Sequence, residues 1–185
     1  MFETVVDPTV GPPASSEGGQ PTLAARPGSL SGLRLGLLAN TKRNAEQFVQ
    51  QVGEQLAERY GVRTVLARKK PNIVETAPEQ MMAELADQCD IVVTGVGDCG
   101  SCSASAVADG LLLEQAGIPV VVICSDAFTV SADAMAELRG APGYQYVTTP
   151  HPVANLTADG IHDRAAAAIP AIVALLTRPA MAASA

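Results

Sequence analysis

Two cysteines three residues apart, Cys99 and Cys102, are the residues of this sequence best suited to do chemistry. They bracket Gly100 and Ser101, whose small side chains allow a tight turn and the close approach of a substrate. The pair lies where a predicted strand runs into a predicted helix, and the free N–H groups and partial positive charge of a helix N-terminus favour the reactive thiolate. The spacing also allows a disulfide, so one cysteine can attack and the other resolve the adduct. Spacing does not decide which one attacks, although Cys99 precedes the helix and is expected to be the more open.

Three other interpretations of this segment stay open. A structural zinc site usually needs a second pair of ligands, and the remaining Cys and His residues are scattered along the chain: Cys89, Cys124, His151 and His162. Residues 95–100 match G-x-G-x-x-G, but no acidic residue follows at the distance expected for a dinucleotide site. The third interpretation is an unreactive pair packed under a glycine turn. Cys89 and Cys124 are expected to be small core residues, and His162 is expected to be exposed on a helix.

Further polar residues are candidates for proton transfer and for substrate binding. His151 lies between two prolines and is a candidate proton donor or base. Asp98 precedes Cys99; it would raise the pKa of that thiol if charged and close, and the alternatives are that it caps the helix or moves a proton. Lys42 can bind an anionic group or lower a cysteine pKa, or simply be solvated. The residues expected to line the substrate site are Lys42, Asn40, Gly97, Gly100 and Ser101.

Strand and helix patterns alternate along the chain. We predict strands at 33–39, 62–67, 89–95, 118–124 and 145–148, and helices at 44–60, 77–89, 103–115, 131–138 and 159–176. The first helix carries Phe48, Val52, Leu56 and Tyr60 at four-residue spacing. This alternation predicts an α/β fold, a single-domain three-layer sandwich with a mostly parallel, doubly wound sheet. Polar residues follow four of the predicted strands, and ligands bind at that edge of such sheets.

Length and composition limit the possible partners, the cellular location and the domain organisation. The chain has 185 residues and a net charge of −7, which argues against a broad nucleic-acid surface. The apolar runs are too short for a membrane span and no secretory signal is visible, so we expect a cytoplasmic protein. We divide the chain into an extended N-terminal arm (1–30), the α/β domain (31–178) and a C-terminal tail (179–185). The arm is rich in proline and glycine, and it is expected to be either a disordered tail or a segment lying across its own or a partner subunit, as in a homodimer.

Several segments resemble the UGSC (seleno)protein family, whose name describes a Sec-Gly-Ser-Cys tetrad that some members carry as Cys-Gly-Ser-Cys. The resembling segments, in order, are Val6-Asp7-Pro8, Gly36 to Lys42 with Asn44, Cys89-Asp90, Thr94 to Cys102, Glu114 with Gly117-Ile118-Pro119, and His151-Pro152. They cover nearly the whole chain. The tetrad with its preceding Gly-Asp is the specific part. The family is also distantly similar to the selenoprotein B component of glycine reductase.

The resemblance implies roles that spacing leaves open. Selenocysteine corresponds to Cys99, which implies that Cys99 attacks and Cys102 resolves. This chain has sulfur at the key position, and a thiol is a weaker nucleophile than a selenol. It also has Ala39 and Ala108 where an acid and a His are expected, so no acid–base role is carried over to these two positions.

These observations favour a thiol-based enzyme with oxidoreductase character that acts on a small electrophilic substrate or a disulfide. Cys99 and Cys102 would do the chemistry, His151 or Asp98 would handle protons, and a thiol reductant or redox partner would restore the pair. No cofactor or metal is required by this scheme. The alternatives are a cysteine-dependent lyase or hydrolase without a redox cycle, and a metal- or ligand-binding protein that uses the same pair.

Overall fold

A five-stranded, all-parallel sheet lies between two layers of helices in the computed structural model, which describes residues 22–177. The strands are β1 (Arg34–Ala39), β2 (Arg63–Lys69), β3 (Ile91–Gly97), β4 (Val120–Ser125) and β5 (Val147–Thr149). Their order across the sheet is β2-β1-β3-β4-β5. The order reverses between β1 and β3, and ligands of doubly wound sheets bind outside the strand ends at such a reversal. The predicted fold class is confirmed.

The helices divide between the two faces of the sheet. They are α1 (Ala45–Tyr60), α2 (Glu79–Gln88), α3 (Gly100–Gln115), α4 (Thr129–Leu138) and α5 (Ala158–Thr177), with a 3-10 turn at Asp126–Phe128. Buried side chains of α1 and α5 share one core cluster with the sheet, and those of α2, α3 and α4 share the other. Because every crossover carries a helix, both faces of the parallel sheet are covered.

Helix α1 shows how local sequence produces an element. Phe48, Val52 and Leu56 are fully buried and form the stripe that packs on the sheet. Tyr60, predicted as the fourth member of that stripe, is 37% exposed at the helix end. Gly61 ends the helix as predicted, with φ 70° and its N–H donating to the carbonyl of Ala57.

The sequence patterns leave a long connection between the strand predicted at 89–95 and the helix predicted at 103–115, and that length is wrong. Strand β3 continues to Gly97, which pairs with Cys124 of β4 after a register shift that begins at Gly95. Helix α3 already begins at Gly100. Only Asp98 and Cys99 separate the two elements, so the strand passes almost directly into the helix.

The described part of the predicted arm, residues 22–30, packs on its own chain. The Arg26 guanidinium makes two hydrogen bonds of 2.7 Å to the Glu114 carboxylate and a third, of 3.1 Å, to the carbonyl of Leu175. The N–H of Ala24 also donates to Glu114, at 2.8 Å, and Leu30 is buried. These contacts fix the segment at the amino-terminal edge of the sheet, opposite the cysteine pair. Residues 1–21 of the arm, including Val6-Asp7-Pro8, and the tail 179–185 lie outside the described residues.

Helix α5 is long and apolar enough to cross a membrane, and it is the one such helix between residues 22 and 177. One such helix is weak evidence, because core helices of water-soluble proteins have the same length and composition. Ile161, Ile169 and Ile172 of α5 are buried against α1 and the sheet.

Candidate active site

The two cysteines are joined at the start of α3. Their sulfurs are 2.04 Å apart and their Cα atoms 5.2 Å apart, so the disulfide that the spacing allows is formed. Cys99 is the N-cap of α3, and its sulfur accepts a hydrogen bond of 3.3 Å from the backbone N–H of Cys102. The Ser101 hydroxyl lies 3.6 Å from the same sulfur. Cys102 is completely buried whereas Cys99 is partly exposed, which confirms that Cys99 is the more open.

Gly97 is required for the close approach of β3 to α3. A Cβ atom at this position would lie 2.6 Å from the Ser103 hydroxyl and 2.7 Å from the Cys124 sulfur. The Ser103 hydroxyl bonds to the carbonyls of Gly97 and Cys99, at 3.0 and 2.9 Å. Any larger side chain at 97 would therefore displace the turn that carries Cys99. The first two glycines of the G-x-G pattern serve packing, since a Cβ at Gly95 would also come within 3.0 Å of a backbone carbonyl.

The Asp98 carboxylate points away from the cysteines. It accepts hydrogen bonds from the backbone N–H groups of Val153 (3.1 Å to each oxygen) and Ala154 (2.9 Å), and it lies 3.0 Å from Nδ1 of His151. Its side chain is 1% exposed. Asp98 therefore does not cap α3, and the Cys99 sulfur is the cap instead.

His151 is held by contacts on several sides. Nδ1 faces Asp98 and lies 3.4 Å from the Ser125 hydroxyl, and the backbone N–H of His151 donates to Asp126 at 3.0 Å. The Phe128 ring packs edge-on at a centroid distance of 5.2 Å. The side chain is 38% exposed. With Nδ1 donating to the carboxylate, Nε2 is the nitrogen left to accept or donate a proton.

Asn44 holds the same loop from the other side. Its amide nitrogen lies 3.1, 3.2 and 2.9 Å from the carbonyl oxygens of Val153, Ala154 and Leu156. Asn44 has φ 68°, a left-handed conformation that Asn tolerates better than most residues. Sequence reasoning placed Asn44 in a resembling segment but gave it no role. The sequence shows only that a polar residue, Asn44, precedes a predicted helix. That pattern does not identify the loop after β5 as the partner of its side chain.

Asn40 and Lys42 follow β1. The buried Asn40 amide donates to the carbonyl of Val96 at 2.9 Å, and its oxygen accepts from the backbone N–H of Lys42 at 3.0 Å. Asn40 therefore ties the end of β1 to the end of β3. The Lys42 ammonium makes no hydrogen bond within residues 22–177, so its predicted role toward an anionic group stays a prediction.

No group of three or more metal-ligating side chains occurs between residues 22 and 177. A sequence model of the UGSC family matches residues 4–178 of the chain. The chain belongs to the UGSC family. The further similarity to selenoprotein B of glycine reductase stays a prediction.

Other comparisons add little to the UGSC assignment. No curated protein matches the chain. Among solved structures, an ABC transporter permease from the Pseudomonas fluorescens group is similar at 19% identity and a TM-score of 0.36, over 77% of this chain. The match covers 32% of the permease chain, about a third of its length. This similarity is too weak to indicate a shared fold.

Two positions depart from the expected UGSC pattern, and both are buried. Ala39 ends β1 and is 4% exposed, and Ala108 lies inside α3 and is 1% exposed. Neither methyl group can replace the proton chemistry of an acid or a histidine. In this UGSC protein the acid and the histidine that do meet are Asp98 and His151.

The two remaining cysteines are buried thiols, as predicted for core residues. Burial raises the pKa of Cys89 to about 11 and that of Cys124 to about 12. Both thiols therefore stay protonated at neutral pH. His162, predicted to be exposed, is exposed and lies 3.0 Å from the Gln51 amide oxygen.

Sequence reasoning also missed a buried ion pair beneath the site. The Lys70 ammonium lies 2.5 Å from the Asp109 carboxylate and 2.6 Å from the Ser105 hydroxyl, and all three side chains are buried. Asp109 also accepts from the backbone N–H of Ala77 at 2.7 Å. Desolvation raises the pKa of Asp109, and the Lys70 charge opposes that effect. The pair ties the segment after β2 to α3, the helix that presents Cys99; in sequence, Lys70 was only part of a short basic run.

Proposed function

We propose that this protein is a thiol-dependent oxidoreductase that reduces a small electrophilic substrate with the electrons of Cys99 and Cys102. The observation that carries the proposal is the asymmetric pair. The two sulfurs lie within bonding distance, and only Cys99 is open to a substrate. In such a pair the exposed sulfur can attack the substrate, and the buried sulfur can then resolve the mixed disulfide.

The position of Cys99 supports its reactivity. Its sulfur caps a 16-residue helix and accepts from the N–H of Cys102. In the reduced protein the same N–H group and the helix dipole would stabilise negative charge on this sulfur and lower the pKa of the thiol. The charged carboxylate next in sequence, Asp98, is directed at the His151 loop, so it does not oppose this effect at close range.

With a disulfide substrate, R–S–S–R′, the reaction has two steps. The Cys99 thiolate attacks one sulfur, which forms a Cys99–S–S–R bond and releases R′S⁻. The Cys102 sulfur then attacks Cys99, which forms the Cys99–Cys102 bond and releases RS⁻. The substrate gains two electrons and the protein loses two. The proton of the Cys102 thiol and one proton from solvent convert the two released thiolates to thiols.

The Asp98–His151 pair supports the proton steps. Asp98 holds the imidazole by Nδ1 and leaves Nε2 outside that contact, on a side chain that is 38% exposed. An imidazole in this state can take a proton at Nε2 from the Cys102 thiol or from solvent and pass it to a leaving thiolate. Lys42 is proposed as the contact for an anionic part of the substrate.

The test uses single substitutions of the cysteines and bis(2-hydroxyethyl) disulfide as the substrate, with dithiothreitol as the reductant. Cys99→Ser should abolish turnover above the uncatalysed rate. Reduced Cys102→Ser, mixed with the substrate after dithiothreitol has been removed, should stop after one event with the substrate thiol bound to Cys99, which intact mass detects. Cys89→Ala is the matched control, since it removes a buried thiol far from the site, and it should keep turnover. Full turnover by Cys99→Ser would refute the proposal.

A cysteine-dependent lyase or hydrolase is the second candidate, and one observation favours it. A histidine oriented by a buried carboxylate is also the base of cysteine hydrolases. Such an enzyme would need Cys99 reduced but would consume no reductant. Turnover of a substrate at constant thiol content, measured after the reductant has been removed from the reduced protein, would favour this candidate over the redox cycle.

A further inference from the structure

The two sulfurs of the disulfide differ in their access to an incoming nucleophile. Cys102 is completely buried in the first turn of α3, and Cys99 is partly exposed ahead of that turn. Exchange requires a thiolate to reach the sulfur that it attacks, and access helps decide which sulfur that is. Of the two cysteines, only Cys99 offers that access. Attack on its sulfur breaks the bond to Cys102 and leaves the Cys102 sulfur in the first turn of α3.

We infer that the electron donor of this protein is a thiol that attacks the sulfur of Cys99 and leaves Cys102 untouched. The inference rests on the proposed function and adds the path by which electrons return. A donor thiolate RS⁻ attacks Cys99, which forms Cys99–S–S–R, breaks the Cys99–Cys102 bond and releases Cys102 as a thiolate. A second donor thiolate attacks the R sulfur, which forms R–S–S–R and releases the Cys99 thiolate. Two donor thiols lose two electrons, and their two protons go to Cys102 and to solvent.

Cys102 is suited to be the leaving sulfur in this step. Attack at Cys99 breaks only its bond to Cys102, and the proton of a donor thiol neutralises the Cys102 sulfur as it leaves. The remaining thiols do not compete, because Cys89 and Cys124 are buried. Substrate and donor therefore meet the same atom in alternation, and Cys102 never forms a bond to either.

The first experiment maps the mixed disulfide. The oxidised wild-type protein is mixed with glutathione, the reaction is stopped within milliseconds by N-ethylmaleimide, and peptides are analysed by mass spectrometry. The expected result is glutathione on Cys99 and maleimide on Cys102. The reverse pattern would overturn the inference. A second arm replaces glutathione by a dithiol protein whose own resolving cysteine is changed to serine, and this protein must also form its mixed disulfide with Cys99. The rate constants of mixed-disulfide formation with glutathione and with the dithiol protein are then compared. The larger one identifies the class of thiol that reduces the site.

A matched pair of variants provides an independent readout. Reduced Cys102→Ser and Cys99→Ser each keep one sulfur of the pair, and each is mixed with oxidised glutathione after circular dichroism has shown that it is folded. Mixed-disulfide formation should be at least tenfold faster at Cys99 than at Cys102, and equal rates would overturn the inference. Mapping to Cys99 without any substrate turnover would refute the proposed function alone. Turnover with the adduct on Cys102 would refute this inference alone.

Discussion

Replacing Asp98 by asparagine should separate the chemical role of the carboxylate from its structural role. One Asp98 oxygen accepts from the N–H groups of Val153 and Ala154, and the other lies 3.0 Å from Nδ1 of His151. In Asp98→Asn the amide oxygen can keep both backbone contacts. The amide nitrogen then faces Nδ1 of His151 and donates to it, which places the imidazole proton on Nε2. A histidine in that tautomer cannot accept a proton at its exposed nitrogen.

The two expected effects differ in size. Hydrogen bonds to a charged group contribute about 1 kcal/mol more than neutral ones, so weakening two backbone contacts should lower the free energy of unfolding by about 2 kcal/mol. Loss of general acid–base catalysis should lower turnover by about a hundredfold or more. Stability is measured by urea unfolding, and turnover with bis(2-hydroxyethyl) disulfide.

Asp90→Asn is the control for Asp98→Asn. Asp90 precedes the other end of β3 and pairs with Arg34 at 2.8 Å, so its substitution removes the same charge far from the site. It should leave turnover within about twofold. A loss of turnover below fivefold in Asp98→Asn, with the protein still folded, would contradict the role assigned to the His151 tautomer.

Lys70→Met should lower the free energy of unfolding by about 3–5 kcal/mol, because it leaves the Asp109 charge buried without a partner. The double variant with Asp109→Leu should recover part of that loss in urea unfolding. Additive losses would show that Lys70 and Asp109 do not interact as a buried ion pair. In the reduced protein at pH 8, iodoacetamide should label Cys99 rapidly and Cys124 hardly at all. Burial raises the pKa of Cys124 to about 12, so its thiolate appears only as the pH approaches that value. Equal labelling of the two cysteines in peptide maps would contradict this prediction. Asn44→Gly and Asn44→Ala both lose the amide contacts, but only glycine keeps the left-handed backbone without strain. Asn44→Ala should therefore be less stable than Asn44→Gly by ~1 kcal/mol in urea unfolding. Equal stability of the two variants would show that the backbone at residue 44 is not constrained.

Much of the fold could be predicted because its signals are local. Continuous apolar runs indicated β3 and β4, and the stripe of Phe48, Val52 and Leu56 indicated α1. The C-x-x-C pair at the strand-to-helix junction needed only the order of neighbouring elements. Element ends were less certain: β3 continues to Gly97 because β4 pairs with it there, and that pairing involves residues distant in sequence.

The sequence by itself determined the parallel α/β architecture and the location of the cysteine pair, because hydrophobic periodicity and the order of elements are properties of contiguous residues. Only the tertiary structure decided what each polar side chain meets. Asp98 turns from its neighbour Cys99 to His151, 53 residues away, because the ends of β3 and β5 meet at the same edge of the sheet. Asn44 meets Val153, and Lys70 meets Asp109, for the same reason: the partners are distant in sequence and are brought together by the packing of strands and helices, which no short segment of the chain encodes.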